Sequence, residues 1–272
     1  METLTDEETH QYLLNQNGRI IHQIWFFEGI LPKHKSKKMF KSQEKYRNAW
    51  INHNPTWYYK LWTYEECRKL IKVYFPEHFR MFESYPFQIQ RCDCVRYFIL
   101  YLYGGLYVDS DYVSIQPWDE VIKKYQQDLY LVETPNKLDD TESHVSNSLM
   151  FSKRPNHPYW KAVFIELEKN CGSPVYYGKH LSVMYTTGPC IINRVFQKYK
   201  RTFKLNIYPK ELFQPYGIEN DYMSKLDKDK IYCYHLSTES WVGSDSGVLN
   251  FAYLHMKLIL FILGIMIVNL IL

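Results

Sequence analysis

Tyr103-Gly104-Gly105-Leu106-Tyr107-Val108-Asp109-Ser110-Asp111 decides the reading of this chain. A Gly-Gly turn releases a short apolar run of β-formers, and the run ends in two carboxylates separated by one residue. Burying such charges uncompensated is costly, so a strand carrying them must bring them to an edge. In an open α/β sheet the carboxyl edge is where ligands bind. There the pair can hold a hard cation through oxygen atoms, and the cation can neutralise a diphosphate. An isolated Asp-x-Asp also decorates ordinary turns, so its surroundings carry the weight.

Immediately before the turn, Gln88 to Tyr103 places Ile89, Cys92, Val95, Ile99 and Leu102 at helical spacing and stops at Gly104-Gly105. Asp93 and Arg96 lie three apart on that helix and share a face, a spacing that by itself most often marks a structural salt bridge. Further out, Ile20 to Phe26 is a nearly continuous apolar run, as expected for a strand covered on both faces. Trp57 to Trp62 is a second strand, and Ser36 to Trp50 between them reads as a helix. Thr63-Tyr64-Glu65-Glu66 is a capping box that opens another helix, which must end before Pro76. Leu129 to Val132, Leu149 to Ser152 and Ile231 to Tyr234 are further strands, with helices near Tyr159 to Lys169 and Cys190 to Lys200. This alternation predicts an α/β layered fold with a mixed, mostly parallel central sheet.

With 272 residues and 46% hydrophobic content, the chain can bury one sizeable core. Its formal charge of +4 is too even to mark a binder of nucleic-acid backbones, and the basic run Lys33 to Lys38 reads as a solvated loop. Twenty-five Tyr and seven Trp suit a sugar-stacking cleft, and equally an aromatic-rich core. The six cysteines match neither a zinc spacing nor a disulfide framework and read as free thiols. His10, His53, His144 and His180 read as surface or loop residues. The first nineteen residues are polar, with no apolar core of a secretory signal, and no Asn-x-Ser/Thr sequon is found; both features favour a cytosolic face. From Phe251 the chain turns apolar, and Leu258 to Leu272 carries no charge. A C-terminal hydrophobic helix that anchors the protein in a membrane, with Lys257 reaching back to the interface, is the expectation; a buried terminal helix or an interfacial segment is the alternative. If the segment spans, the positive-inside rule leaves the main domain cytoplasmic. The expected organisation is an N-terminal extension over 1–18, a main domain over 19–250 and a hydrophobic segment over 251–272.

Arg91-Cys92-Asp93-Cys94-Val95-Arg96-Tyr97, the Gly-Gly turn and Asp109-Ser110-Asp111 together resemble the glycosyltransferases with the DXD sugar-binding motif. That family includes fungal α-1,6-mannosyltransferases, inositol phosphoceramide mannosyltransferases and, more distantly, the glucosylating domains of clostridial toxins. Ile21-His22-Gln23-Ile24-Trp25 and Asn54 to Trp62 look like its first two strands, and Thr187-Gly188-Pro189 and His235 to Trp241 like two later blocks. The resemblance implies a GT-A nucleotide-diphospho-sugar transferase fold, a divalent metal, usually Mn²⁺, and sugar transfer with retention. It implies that Trp25 stacks on the nucleobase, that Asp93 and Arg96 contact the donor sugar, and that Asp109 holds ribose and sugar hydroxyls. Asp111 would ligate the metal and Asn147 would face the sugar, unless Asn147 only caps a loop. His235, Ser240 and Trp241 would close over the diphosphate, with Asp111, His235 and Ser240 as metal ligands; Glu239 is an open alternative for completing that shell. The implied partners are a nucleotide-sugar donor, GDP-mannose slightly ahead of a UDP-sugar, and a glycan or lipid-linked acceptor.

Two other classes compete. A catalytically silent nucleotide-sugar-binding protein would bind donor without transfer. A metal-dependent phosphoesterase or nuclease would need further Asp/His clusters at two-metal spacing, which this sequence lacks.

Overall fold

Glycine, proline and capping residues set where this chain changes direction. The computed structural model of the protein describes residues 6–26, 41–134, 144–172, 178–215, 229–236 and 245. In chain order the first half comprises α1 (Asp6–Leu14), β1 (Ile20–Ile24), α2 (Lys41–His53), β2 (Tyr58–Trp62), α3 (Tyr64–Tyr74), α4 (Pro76–Ser84), α5 (Gln88–Tyr103), β3 (Gly105–Val108) and β4 (Tyr112–Ser114). The second half comprises α6 (Trp118–Lys124), β5 (Leu129–Glu133), β6 (Val145–Ser152), α7 (Pro158–Asn170), α8 (Gly178–Thr186), α9 (Pro189–Tyr199), β7 (Asn206–Tyr208), α10 (Lys210–Phe213) and β8 (Cys233–His235). The expected capping box opens α3, with the Thr63 side chain accepting from the Glu66 N–H and the Glu66 carboxylate accepting from the Thr63 N–H. That helix stops ahead of Pro76, whose fixed φ then starts α4.

Six strands form the central sheet in the order β2-β1-β3-β6-β5-β7. β1 runs parallel to both β2 and β3, and β5 parallel to β7, whereas β6 is antiparallel to both of its neighbours. The sheet is therefore mixed and mostly parallel, as the alternation of elements predicts. One face packs Ile20, Ile24, Tyr107, Leu131 and Met150 against α5, α7 and α9; the other packs Ile21, Leu106, Val108, Tyr130 and Leu149 against Trp50, Trp118 and Phe213. Alternation of side chains along β1 and β3 thus feeds two cores, which is why these strands read as continuous apolar runs.

The turn into β3 tolerates only glycine. Gly105 has φ +90°, and a Cβ there would lie 2.5 Å from the Ile20 carbonyl oxygen. The oxygen belongs to the backbone and the Cβ is fixed by its own backbone, so neither can yield separately. Gly105→Ala is expected to destabilise the fold by about 2 kcal/mol or more, read as a lower urea midpoint. The turn is pinned by fully buried His22, whose Nε2–H donates to the Gly104 carbonyl at 2.9 Å while Nδ1 accepts from the Trp62 indole at 3.1 Å. Burial pushes the His22 imidazolium down to about 3, so the ring is neutral and its tautomer fixed.

Several expectations are corrected. The strand expected at 149–152 begins at Val145, because Ser146 and Ser148 disguise its first half as a loop. Asn147 is accordingly a buried strand residue and does not cap a loop. The segment expected over 231–234 is β8, which stands outside the main sheet and pairs antiparallel with β4. The helix expected over 36–50 extends to His53, and its first residues fall outside the described ones. The four histidines read as surface or loop residues are all half-buried, three of them on helices. His10, for instance, stacks on Tyr74 at 4.2 Å and bonds the Tyr103 hydroxyl at 2.9 Å. Within the N-terminal extension α1 inserts Leu13 into the core. All six cysteines are free thiols. Among the described residues no helix is long and apolar enough to cross a membrane. The hydrophobic segment 251–272, Glu239, Ser240 and Trp241 lie outside the described residues.

Candidate functional site

β3 runs parallel to β1 and ends at Val108, so Asp109 and Asp111 emerge at the carboxyl edge of the sheet. A turn closed by the Tyr112 N–H on the Asp109 carbonyl at 3.1 Å, with the Asp109 N–H on Ser148, sets the first aspartate. The same carbonyl accepts from the Gln23 side chain at 3.1 Å, and Gln23 accepts from the Tyr59 hydroxyl at 2.6 Å. β1, β2 and β3 thereby hold one peptide group in common.

Asp93 and Arg96 come from α5, which crosses beneath this edge, and both are almost fully buried, at 4% and 3% exposed. Arg96 spans the site: it reaches Asp93 at 2.8 Å, Asp109 at 3.3 Å and the Asn147 carbonyl at 2.9 Å, and lies over the Tyr107 ring at 4.6 Å. The Tyr107 hydroxyl donates to Asp109 Oδ1 at 2.7 Å. Asp93 also accepts from the Asn147 amide at 3.1 Å and the Thr187 hydroxyl at 3.3 Å. Burial raises the Asp93 carboxyl to about 6 against the lowering pull of Arg96, and burial likewise raises Asp109, again opposed by Arg96.

Asp111 meets His235 through the β4–β8 ladder, in which Tyr112 is the partner of His235 and stacks on its ring at 4.5 Å. His235 Nε2 lies 2.9 Å from Asp111 Oδ1. Burial would lower the His235 pKa, but the hydrogen bond to Asp111 and the charges of Asp111 and Asp109 outweigh it and raise it. Asp109, Asp111 and His235 each offer one ligand atom, and these atoms lie within 4.8 Å of one another. Two carboxylates and one imidazole form a donor set suited to a borderline-hard divalent cation. Among the described residues three carboxylates here face one guanidinium and one imidazole, so the site attracts positive charge.

The structure thus brings together Asp93, Arg96, Asp109, Asp111, Asn147 and His235. Trp25 follows β1 at the same edge, its N–H held by the Trp62 carbonyl at 2.9 Å. Sequence reasoning assigned no role to Gln23, Tyr97, Tyr107 or Thr187. Two of these carried a signal: Tyr107 is on β3 two residues before Asp109, and Tyr97 is one helical turn after Asp93. A separate cavity of about 180 Å³, lined by Arg19, Trp57, Tyr125 and Phe151 among others, contains none of these residues.

An acidic cluster thus stands at the carboxyl edge of an α/β sheet, backed by a buried Asp–Arg pair. Residues 41–128 match the glycosyltransferase sugar-binding region containing the DXD motif. The chain is also similar to several fungal proteins. It is 31% identical to inositol phosphoceramide mannosyltransferase 2 of Schizosaccharomyces pombe over 89% of this chain and 63% of the relative. It is 29% identical to mannosyltransferase 1 of the same yeast, over 96% of this chain and 77% of the relative. Against the mannosyl phosphorylinositol ceramide synthase CSH1 of Saccharomyces cerevisiae it is 33% identical over 74% of this chain and 51% of the relative. The chain therefore spans between about half and three quarters of the length of these relatives. Among solved structures, the PaToxG glycosyltransferase aligns with a TM-score of 0.46 at 14% identity, over 72% of this chain and 75% of that one.

Proposed function

We propose that the chain is a metal-dependent retaining hexosyltransferase of GT-A type that moves a sugar, mannose from GDP-mannose first and a UDP-hexose next, onto a glycan or glycolipid. The observation that carries this reading is the convergence of Asp109, Asp111 and His235 beside the buried Asp93–Arg96 pair. The relatives' names, which specify inositol phosphoceramide mannosylation, support mannose as the sugar and an inositol-bearing sphingolipid as acceptor. The apolar segment 251–272 is suited to hold the domain at the lipid surface where such an acceptor resides.

Asp109, Asp111 and His235 would hold the divalent cation, Mn²⁺ by preference, with Ser240 as a further ligand. When bound, the cation supplies positive charge to the departing diphosphate. Arg96 is a second, permanent positive charge, fixed in direction by Asp93, Asp109 and Asn147, so it needs no reorganisation as charge develops. Asp93 and Asp109 place negative charge where the sugar ring becomes oxocarbenium-like. No protein nucleophile stands out, and departure and attack on the same face of the sugar give retention.

An ionised Asp93 is required in this scheme. Turnover is therefore expected to fall tenfold per pH unit below about 6, where burial has raised the Asp93 carboxyl, and to level off above it. The kcat/KM profile between pH 5 and 8 checks this. The function itself is tested by incubating the protein and Mn²⁺ with GDP-mannose or UDP-hexoses and vesicles containing inositol phosphoceramide. Mass spectrometry should find the lipid heavier by one hexose; hydrolysis of no donor and an unchanged lipid would refute the reading.

A further inference from the structure

Of the groups placed in the chemistry above, the Tyr97 hydroxyl is hydrogen-bonded to Asn147, and through it closes a ring of hydrogen bonds around Asp93. The Asn147 amide nitrogen donates to Asp93 Oδ1 at 3.1 Å and to the Tyr97 oxygen at 3.0 Å. The Tyr97 hydroxyl donates to the Thr187 carbonyl at 2.6 Å, and the Thr187 hydroxyl donates to Asp93 Oδ2 at 3.3 Å. Three elements meet here: α5, β6 and the α8–α9 junction. All are buried, with Tyr97 fully so and its ring stacked on Trp160 at 6.1 Å.

The direction of each bond is forced. Tyr97 has a single hydroxyl hydrogen, committed to Thr187, so its oxygen only accepts. It accordingly requires an N–H from Asn147, and the second hydrogen of the same amide then falls on Asp93. Were the amide reversed, its carbonyl would oppose both the Asp93 carboxylate and the Tyr97 lone pairs. Without the Tyr97 hydroxyl, only Asp93 holds the amide in place.

We propose that Tyr97 is a positioning residue of the donor-sugar pocket, fixing the orientation of the Asn147 amide and hence the hydrogen-bonding face that Asn147 and Asp93 offer to a hexose. The inference rests on the nucleotide-sugar reading above. Because the sugar end of the pocket is affected and the nucleotide end is not, the effect separates two ligands. A nucleoside diphosphate binds a Tyr97→Phe protein as it binds the wild type, whereas turnover of the nucleotide sugar suffers.

The test measures GDP and UDP affinity by calorimetry with Mn²⁺, and kcat and KM for donor hydrolysis, on the wild type, Tyr97→Phe, Asn147→Ala and the double variant. Thermal midpoints are recorded alongside. Tyr97→Phe is expected to lower kcat/KM by roughly tenfold or more with nucleoside diphosphate affinity within about twofold. Adding it to Asn147→Ala should change little, because both act through one amide. Asn147→Ala, which removes the amide that Tyr97 orients, is expected to show the same split between lowered turnover and unchanged nucleoside diphosphate affinity, which keeps the idea testable if Tyr97→Phe folds poorly. Donor turnover by Tyr97→Phe within twofold of wild type, a parallel loss of nucleoside diphosphate affinity, or multiplicative effects in the double variant would overturn it while leaving the transferase reading intact. A wild type that neither binds nor turns over any nucleotide sugar removes both.

Discussion

Asp111→Asn is expected to reduce cation-dependent release of nucleotide from the donor by at least about 100-fold while leaving the fold unchanged. The substitution preserves shape and can retain a hydrogen bond to His235 2.9 Å away, so the β4–β8 ladder that positions both residues persists. What disappears is one of the two carboxylates in the set formed with Asp109 and His235. Circular dichroism and the thermal midpoint should match those of the wild type, and a Mn²⁺ titration should show loss of the high-affinity site. Turnover by Asp111→Asn with the wild-type cation dependence would remove this residue from the proposed chemistry.

Arg96→Met is expected to be the most destabilising single change in the site, by about 3–5 kcal/mol, because it strands the buried Asp93 carboxylate, and the half-buried Asp109 beside it, without their counter-charge. Asp93 loses a contact of 2.8 Å and Asp109 one of 3.3 Å, and the Asn147 carbonyl loses its donor. Urea denaturation at pH 7.5 reads the loss. Adding Asp93→Asn to Arg96→Met should recover part of it by removing one stranded charge, without restoring turnover. Arg96→Lys should fall between, since an ammonium cannot span three acceptors and lie flat over Tyr107 at once. A loss below about 1 kcal/mol in Arg96→Met would mean that the pair contributes little to the fold.

The strands and helices that announce themselves by period and punctuation were legible from residues alone. Helix α5 lies between a strand-breaking Pro86 and the Gly104-Gly105 turn, and its apolar spacing gives both ends. Strand β3 follows because nothing but β-formers stands between that turn and Asp109. Elements whose stability comes from tertiary contact were not legible. β4 is three residues long and exists because β8 pairs with it and α2 covers it through the Trp50 indole on the Tyr112 carbonyl at 3.1 Å. β6 was half missed because its serines face neighbours such as Tyr112 and not solvent. In the site, spacing alone gave the Asp109–Asp111 pair and read Asp93 and Arg96 as an ion pair, to which only the family resemblance gave a role in binding. The nearness of His235 to Asp111 joins positions 124 residues apart, which no local pattern encodes. Only the family resemblance suggested it. Gln23 and Tyr107 escaped notice because their work is to hold Asp109, by its peptide carbonyl and its carboxylate respectively, and such residues look like ordinary core.

Nucleotide release from a panel of GDP- and UDP-sugars, followed with Mn²⁺ and then after addition of a chelator, decides whether the acidic cluster is a cation site that serves a leaving diphosphate. Release from at least one donor with Mn²⁺, abolished by the chelator and restored by excess metal, is the predicted result. Release from none of them, or release that continues undiminished in the chelator, would contradict it.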